Sequence, residues 1–484
     1  MTSPRQPSKI DQIADEYLEN CSRLVPLEAT LGGVVGYDHL IDDMSPAGLS
    51  EVADLKQHTL TKLSKAVQDS LGAAALDATD QVTVAAMRER LGVDLERYEM
   101  GEWQRELNIL DCPLQRCREV FDLMQTDSLE DWQVVAQRLA GVPKALQGYQ
   151  AALEQGRASG KMPAARQVAI GVKQASELAV PGSFFDQLVE RASAQPESLR
   201  KALGEAAKQT RAAYGQLASY LSQQLAPAAP DEDAVGRERY ELASRYFVGA
   251  TVDLAETYQW GLEQLRSLTA EQEKLAELIA GPGASVAQAT EALNADPNRQ
   301  LDGPDALQQW MTQISNQAMQ ALAGVHFDVP EPVRQLECMI APTHTGAIYY
   351  TGPSENFSRP GRMWWSIPEG VTKLNTWKER TTVYHEGVPG HHLQIATTTY
   401  RAAQLNRWRR LGCWVSGHGE GWALYAERLM EQLGFLDDPG DRFGMIDSQR
   451  FRAARVVLDI GLHLGLPCPE EYGGGVWNAN KGWD

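Results

Sequence analysis

The stretch TTVYHEGVPGHHLQIA, residues 381–396, combines three histidines, one glutamate and a Pro-Gly pair. His385 and His391 are six positions apart, so an unbroken helix would separate them by about 9 Å in rise and about 120° in direction. Pro389 lacks the N–H that would bond to the carbonyl group of His385, and its ring clashes with that turn. The sequence therefore predicts a bulge or a break that brings a later histidine, His391 or His392, beside His385.

A second stretch, SGHGEGWALYAERLMEQLG at residues 416–434, reads as an amphipathic helix with Glu420 near its start. Two histidines and one glutamate form a common ligand set for zinc, with ligand atoms about 2.0–2.2 Å from the ion. We therefore predict one Zn²⁺ per chain, bound by His385, a later histidine and Glu420, and the same ligands suit other divalent transition metals. Glu427 and Glu431 lie further along this helix, and we interpret them as surface or pairing residues.

The residues beside the predicted ligands suggest the chemistry. Glu386 follows His385 and projects in a different direction, so it could take a proton from water as general base and return it to a leaving amine. A further group should stabilise the developing oxyanion, and the candidates are Tyr350, with its neighbour Tyr349, and His463.

Two arginine-containing patterns allow alternative interpretations. Polar residues recur at spacings of three and four along an otherwise apolar helix: Arg452, Arg455, Asp459 and His463. Such a polar stripe is either paired internally or faces a polar cleft. Arg359 lies in a Pro-Gly turn and could bind a substrate carboxylate. Because such turns are normally exposed, we favour a surface position for it.

The predicted secondary structure divides the chain into two parts. Residues 1–235 read as a helical scaffold, whereas 236–484 read as a catalytic half with a small β-sheet at about 334–367 and metal-binding helices at about 375–465. Six of the nine histidines fall in the last third of the chain: His344, His385, His391, His392, His418 and His463. The predicted fold is mainly α-helical, with the small sheet beside the metal-binding helix.

Composition limits the partners and the location. The net charge of −19 repels phosphate backbones, so we expect no nucleic-acid partner. No apolar run is long enough to span a membrane, and the N-terminus lacks a signal-peptide pattern, which favours a soluble cytoplasmic protein. The six scattered cysteines suit reduced thiols. The sequence leaves the oligomeric state open.

Four motifs resemble the bacterial family known as domain of unknown function 885, grouped with zinc peptidases of the His-Glu helix type: YHEGVPGHHLQ, GHGEGWALYAERLMEQLG, AIYYTGPSENFSRPG and RAARVVLDIGLH. The resemblance implies a large helical zinc-peptidase-like fold with a deep cleft, and it favours a cleft position for His463. In zinc peptidases similar to the thimet oligopeptidases and dipeptidyl peptidase III, the second ligand follows a glycine, which implies His391 after Gly390 rather than His392. Family members usually continue into a further helical segment, so the resemblance also implies that this chain end, GGGVWNANKGWD, is shortened or diverged.

These observations predict a metal-dependent hydrolase. A zinc peptidase acting on small peptides is the leading hypothesis, because a deep helical cleft would exclude folded proteins. A metal-dependent esterase or deacylase would use the same residues. A helical binding protein with a degenerate site is the non-enzymatic alternative, favoured by the chain end and opposed by the intact His385, Glu386, His391 and Glu420.

Overall fold

The computed structural model describes residues 5–70, 75–341 and 348–477, and it is mainly helical, as predicted. One compact unit comprises the chain up to Asp233 together with Ala402–Cys413, and a second comprises Ala234–Arg401 and the residues from Trp414 onward. The boundary after Asp233 lies close to the predicted division after residue 235, whereas the return of Ala402–Cys413 to the first unit has no counterpart in the prediction. Within the described ranges, no helix combines the length and apolar character required to cross a membrane.

Two helices of the first unit begin with serine capping boxes. Ser8 and Ser128 each accept hydrogen bonds from first-turn N–H groups, and Asp11 and Asp131 complete the two capping boxes. The helices are α1 (Lys9–Leu24), α2 (Pro26–Leu31), α3 (Pro46–Ser70), α4 (Ala78–Met100), α5 (Pro113–Leu123), α6 (Leu129–Ser159), α7 (Ala165–Ala179), α8 (Phe184–Arg191) and α9 (Glu197–Tyr220).

The segment Ala402–Cys413 belongs to the first unit because of both apolar and polar contacts. Trp408 is buried in a cluster that includes Ile10 and Leu18 of α1. The Asn406 side chain donates a hydrogen bond to Asp11 over 3.0 Å. A buried indole and a satisfied buried amide together fix this short segment against α1.

The second unit has its own set of helices, and the last four of them carry the candidate site. They are α10 (Arg237–Val248), α11 (Leu254–Ala280), α12 (Val286–Ala295), α13 (Gly303–Leu322), α14 (Thr376–Glu386), α15 (His391–Tyr400), α16 (Ser416–Gln432) and α17 (Pro439–Leu464). Helix α14 packs against α16 and α17, and α11 packs along α17. Asp438 caps the start of α17, and Gly465 ends it in the left-handed conformation, with φ 62°.

Apolar side chains fix α14 against its neighbours. Trp377 and Val383 of α14 are buried together with Met430 of α16 and Phe443 of α17. The rings of Trp377 and Phe443 meet at a centroid distance of 5.7 Å. Burying side chains of this size stabilises the arrangement by about 1.5–3 kcal/mol each, so the three helices form a firm support for polar groups.

Two small sheets complete the second unit. The strands are β1 (Gln300–Asp302), β2 (Leu336–Ile340), β3 (Ile348–Thr351), β4 (Gly361–Trp365) and β5 (Lys373–Asn375). The three-stranded sheet has the order β2-β4-β3, with β2 parallel and β3 antiparallel to the central β4. Its strands fall inside the predicted range 334–367, of which residues 342–347, including His344, lie outside the described residues. The second sheet pairs β1 with β5, which leads directly into α14.

Candidate metal centre

The helix that contains His385 breaks at the Pro-Gly pair. Helix α14 ends at Glu386 and α15 begins at His391, and the Val388–Pro389 peptide between them is cis. The N–H of Gly390 donates to the carbonyl oxygen of Tyr384 over 3.0 Å, which turns the chain back toward α14. Of the two outcomes that the sequence predicts at Pro389, a bulge or a break, the structure has the break.

Gly390 allows a close approach between the two histidines. A Cβ atom at this position would lie 1.8 Å from the carbonyl oxygen of His385 and 2.5 Å from that of Tyr384, so no larger residue fits. As a result, the rings of His385 and His391 lie edge to face, with centroids 4.8 Å apart. The turn thus overcomes the separation that an unbroken helix would impose on the two histidines.

Glu420 of α16 completes a group of three potential ligands. His385 Nε2 lies 3.3 Å from Glu420 Oε2, and His391 Nε2 lies 3.5 Å from Glu420 Oε1. Two atoms bound about 2.0–2.2 Å from a tetrahedral ion are about 3.3–3.6 Å apart, and each histidine nitrogen lies this far from one oxygen of the Glu420 carboxylate. Among the described residues this is the one cluster of three histidine, cysteine or acidic side chains close enough to hold a metal.

The three candidate ligands are accessible from one side. His385 and His391 are buried, whereas the Glu420 side chain is 53% exposed. Two imidazole nitrogens and one carboxylate fit zinc or another divalent transition metal, and a catalytic site of this type keeps one position for water or substrate. The donor set and the exposed side therefore fit a catalytic metal.

Glu427 fixes the orientation of His385. This fully buried carboxylate accepts a hydrogen bond from Thr381 over 3.0 Å and lies 2.8 Å from His385 Nδ1. Arg452 of α17 forms an ion pair with it at 3.3 Å. Because a carboxylate only accepts, Nδ1 of His385 carries a proton and donates to Glu427, which turns Nε2 toward Glu420, an arrangement that orients metal-binding histidines.

Of the two roles predicted for Glu427, surface or pairing, the structure has the pairing role, and the carboxylate is fully buried. The sequence signal was its spacing from Glu420, because seven residues make almost two full turns and place both carboxylates on one face of α16. Glu431 is also a pairing residue, with ion pairs to Arg428 at 2.9 Å and Arg442 at 3.3 Å.

The charges around His385 favour a cation. Burial lowers the pKa of His385, but hydrogen bonds with Glu420 and Glu427 and the charge of Glu386 outweigh it and raise the pKa to about 9. Burial raises the pKa of Glu420, but hydrogen bonds from both histidines outweigh this and hold it far below its usual range. The carboxylates thus create a place for positive charge, which a proton fills when no metal ion does.

Glu386 presents a buried carboxylate oxygen beside this cluster. The residue is 6% exposed, and its Oε2 atom has no hydrogen-bond partner among the described residues. Burial raises the pKa of Glu386, and the nearby histidines act in the opposite direction. A buried carboxylate oxygen without a partner is costly in a purely structural role and is suited to accept a proton from a bound molecule.

His392 is occupied by contacts outside the cluster. Its Nε2 lies 2.6 Å from the carbonyl oxygen of Val333, and its Nδ1 lies 3.0 Å from the hydroxyl group of Tyr350. Since a carbonyl only accepts, Nε2 carries the proton and Nδ1 accepts from Tyr350. Burial lowers the pKa of His392 to about 4, so the ring is neutral. The structure therefore brings His391, and not His392, to Glu420.

Tyr350 is placed at the sheet rather than among the three candidate ligands. Burial raises the pKa of its phenol, and its hydroxyl group donates to His392. Gly361 makes room for it, because a Cβ atom there would lie 2.1 Å from the Tyr350 hydroxyl oxygen. The neighbouring Tyr349 stacks on Trp364 with centroids 6.1 Å apart. The observed role of Tyr350 is to hold His392.

His463 is also separate from the cluster. Its Nδ1 accepts the N–H of Val235 over 3.1 Å, its ring stacks on Tyr240, and Asp459 lies 3.7 Å from its Nε2. Eleven residues separate it from Arg452, or about 16 Å along α17. The predicted polar stripe therefore divides: Arg452 reaches the cluster through Glu427, whereas His463 lies too far along the helix to contact it.

Arg359 is buried at 8% exposure, so the predicted surface position is wrong. The turn before it folds back, with Ser354 N–H donating to the Arg359 carbonyl oxygen over 3.0 Å and Arg359 N–H donating to Ser354 Oγ over 3.0 Å. The charge of Arg359 acts on Tyr350 and lowers the pKa of its phenol, against the larger effect of burial. These two hydrogen bonds close a turn over residues 354–359, just before the Pro-Gly pair, and Gly361 already begins β4.

Comparison with known proteins gives a family and solved structures with a similar fold. The sequence model of a family described as "Bacterial protein of unknown function (DUF885)" matches residues 26–484. A crystal structure described as a "putative lipoprotein" from Colwellia psychrerythraea shares 20% identity and a TM-score of 0.77, covering 94% of this chain and 83% of that one. A "putative lipoprotein of unknown function" from Shewanella oneidensis shares 14% identity and a TM-score of 0.65, with coverages of 95% and 84%. No curated protein matches the sequence.

Proposed function

The chain belongs to the bacterial DUF885 family, and from its candidate metal centre we propose that it is a metal-dependent hydrolase, specifically a zinc peptidase acting on small peptides. The observation that carries the proposal is the convergence of His385, His391 and Glu420 beside a buried Glu386 oxygen that has no hydrogen-bond partner among the described residues. The ligand set, the break after His-Glu and the helix that supplies Glu420 resemble zinc peptidases of the His-Glu helix type, and we extend the proposal to a zinc-peptidase-like fold.

His385, His391 and Glu420 would hold one zinc ion, which in such sites polarises the substrate carbonyl group and makes water more acidic. Glu386 takes one proton from the attacking water molecule while the water oxygen forms a bond to the carbonyl carbon. The same carboxyl group then gives the proton to the leaving nitrogen as the C–N bond breaks. One water molecule is consumed, and the products are a carboxylic acid and an amine.

Residues outside the ligand set support this chemistry. Glu427 holds the Nδ1 proton of His385, which would leave the Nε2 lone pair free to bind a zinc ion. Arg452 pairs with Glu427 at 3.3 Å and so compensates the burial of this carboxylate. Orientation of His385 thus depends on α16 and α17 together.

Small peptides are the proposed substrates because the two histidines are buried and the Glu420 side supplies the exposed approach. An extended peptide is thin enough to reach such a site, whereas a folded domain is not. A deep cleft stays a prediction from the resemblance. A cytoplasmic location is likewise our proposal, in keeping with six free cysteines.

Metal analysis and a substrate panel on the same samples test the function. Protein purified without added metal should contain about one transition-metal ion per chain, as measured by elemental analysis. It should cleave members of a short-peptide library, lose this activity with a chelator and regain it with zinc. Cleavage of ester or acyl substrates alone would retain the hydrolase and reject the peptidase. Absence of any metal-dependent cleavage would reject the enzyme in favour of a binding protein.

A further inference from the structure

Trp414 places a large, half-exposed aromatic ring beside the candidate metal centre. Trp414 is 49% exposed, and its ring centroid lies 6.2 Å from that of His391 at an interplanar angle of 61°. An indole that only shielded His391 from water would gain most by full burial. The exposed part of Trp414 is therefore apolar surface available next to a candidate ligand.

The backbone beside another candidate ligand fixes the same indole. A Cβ atom on Gly419 would lie 2.2, 2.7 and 2.9 Å from Cη2, Cζ2 and Cζ3 of Trp414, so the six-membered ring rests directly on this glycine. Gly419 precedes Glu420 in the sequence. The indole thus lies beside His391 and on the residue before Glu420, and it is held by packing that a larger residue at 419 would disrupt.

On the basis of the proposed hydrolase function, we propose that Trp414 binds an apolar side chain of the substrate next to the bond that is cleaved. A substrate carbonyl group at the metal centre would bring the flanking side chain within reach of the indole. Aromatic side chains gain from stacked or edge-to-face contact with an indole, and large aliphatic side chains gain by covering apolar area. The substrate class is therefore short peptides with an aromatic or large aliphatic residue beside the cleaved bond.

Binding of two small hydroxamates separates this role from metal binding. Glycine hydroxamate and phenylalanine hydroxamate share a metal-binding group and differ in the side chain, and titration calorimetry on zinc-loaded protein measures both. We expect the parent protein to bind the phenylalanine compound about tenfold more tightly. Trp414→Ala should remove this preference while keeping its metal content and its affinity for glycine hydroxamate, and Trp414→Phe should keep part of the preference.

Trp260 of α11 supplies the matched control, because it is exposed to a similar extent, 53%. Trp260→Ala should behave as the parent protein does. Equal binding of the two hydroxamates by the parent would overturn the role of Trp414 and leave the metal centre intact. Equal weakening of both compounds in Trp414→Ala, or loss of zinc, would show that Trp414 only supports the site. Failure of the parent to bind either compound would reject the hydrolase proposal and this inference with it.

Discussion

Two groups of polar residues in the second unit each combine histidine with a carboxylate, but their side chains make different contacts. In the first, the His385 cluster, His385 and His391 direct Nε2 atoms toward one carboxylate of Glu420 at 3.3 and 3.5 Å. In the second, the His463 cluster, His463 accepts a backbone N–H, and Tyr240 donates to Asp459 over 2.5 Å. The first cluster converges on one point, whereas the second distributes its hydrogen bonds among neighbours.

The difference shows that residue type alone does not identify a ligand site. Buried polar atoms in a structural cluster are normally satisfied by their neighbours. Beside the His385 cluster, Glu386 Oε2 and His391 Nδ1 are buried and have no hydrogen-bond partner among the described residues. Convergence together with unsatisfied buried atoms is the feature that distinguishes the first cluster, and it is the feature that mutations can test.

Removal of a candidate ligand should have the largest effect. His391→Ala should abolish binding of the metal ion, because two remaining ligands hold it poorly. His463→Ala should keep about one ion per chain, and His392→Ala should weaken binding less than His391→Ala does. Elemental analysis after dialysis measures all three. A greater loss in His392→Ala would move the ligand assignment to His392, and a loss in His463→Ala would remove the distinction between the clusters.

Filling the space at Gly390 should separate the two histidines. Gly390→Ala puts a methyl group on the carbonyl oxygen of His385, so we expect the free energy of unfolding to fall by about 1–3 kcal/mol and zinc affinity to fall with it. Gly204 of α9 is the control, since its Cβ would meet nothing within 4 Å. Gly204→Ala should be neutral or slightly stabilising in chemical denaturation. Equal stability and zinc affinity in the two variants would refute the close approach at Gly390.

Substitution of Glu427, the carboxylate that orients His385, should have a smaller effect on metal binding. Glu427→Gln removes the charge that holds the Nδ1 proton, and we expect zinc affinity to fall by about 10–100-fold. Glu431→Gln, one turn further along α16, is the matched control, because Glu431 pairs with arginines and contacts no ligand candidate. Competition with a chromogenic chelator measures both affinities. Identical values for the two variants would show that Glu427 has no influence on the cluster.

Loss of the hydrogen bond between Tyr350 and His392 should have the smallest effect. Tyr350→Phe leaves Nδ1 of His392 without its donor, so the free energy of unfolding should fall by about 1–2 kcal/mol with zinc binding unchanged. Tyr425→Phe, at a residue that is 52% exposed, should change stability by less than about 0.5 kcal/mol. Thermal denaturation and turnover are measured together. A large loss of turnover in Tyr350→Phe without loss of stability would instead support its predicted catalytic role.

Features that depend on local backbone chemistry could be predicted from the sequence. Helical periodicity, the interruption at Pro389 and the strand-rich range 334–367 all depend on neighbouring residues, and the structure has each of them. Convergence of His385, His391 and Glu420 was also within reach, because their types and order restrict the possible ligand sets.

Features that depend on distant contacts were not predictable in this way. Burial of Glu427 depends on Thr381 and Arg452, which are 46 residues before it and 25 after it in the sequence. The position of His463 depends on the length of α17 and on Val235, more than 200 residues earlier. The return of Ala402–Cys413 to the first unit depends on apolar contacts of Trp408 that no periodic pattern reveals.

The most direct test of the proposed hydrolase compares Glu386→Gln with Glu420→Gln. The first variant keeps the shape of a side chain that we do not assign as a ligand, and the second replaces a candidate ligand with a neutral amide. Peptide turnover and zinc content are measured on the same samples. We predict that Glu386→Gln keeps about one ion per chain while turnover falls by at least about 100-fold, and that Glu420→Gln loses both together. Unchanged turnover in a zinc-loaded Glu386→Gln protein would contradict the proposed role of Glu386 as the proton acceptor.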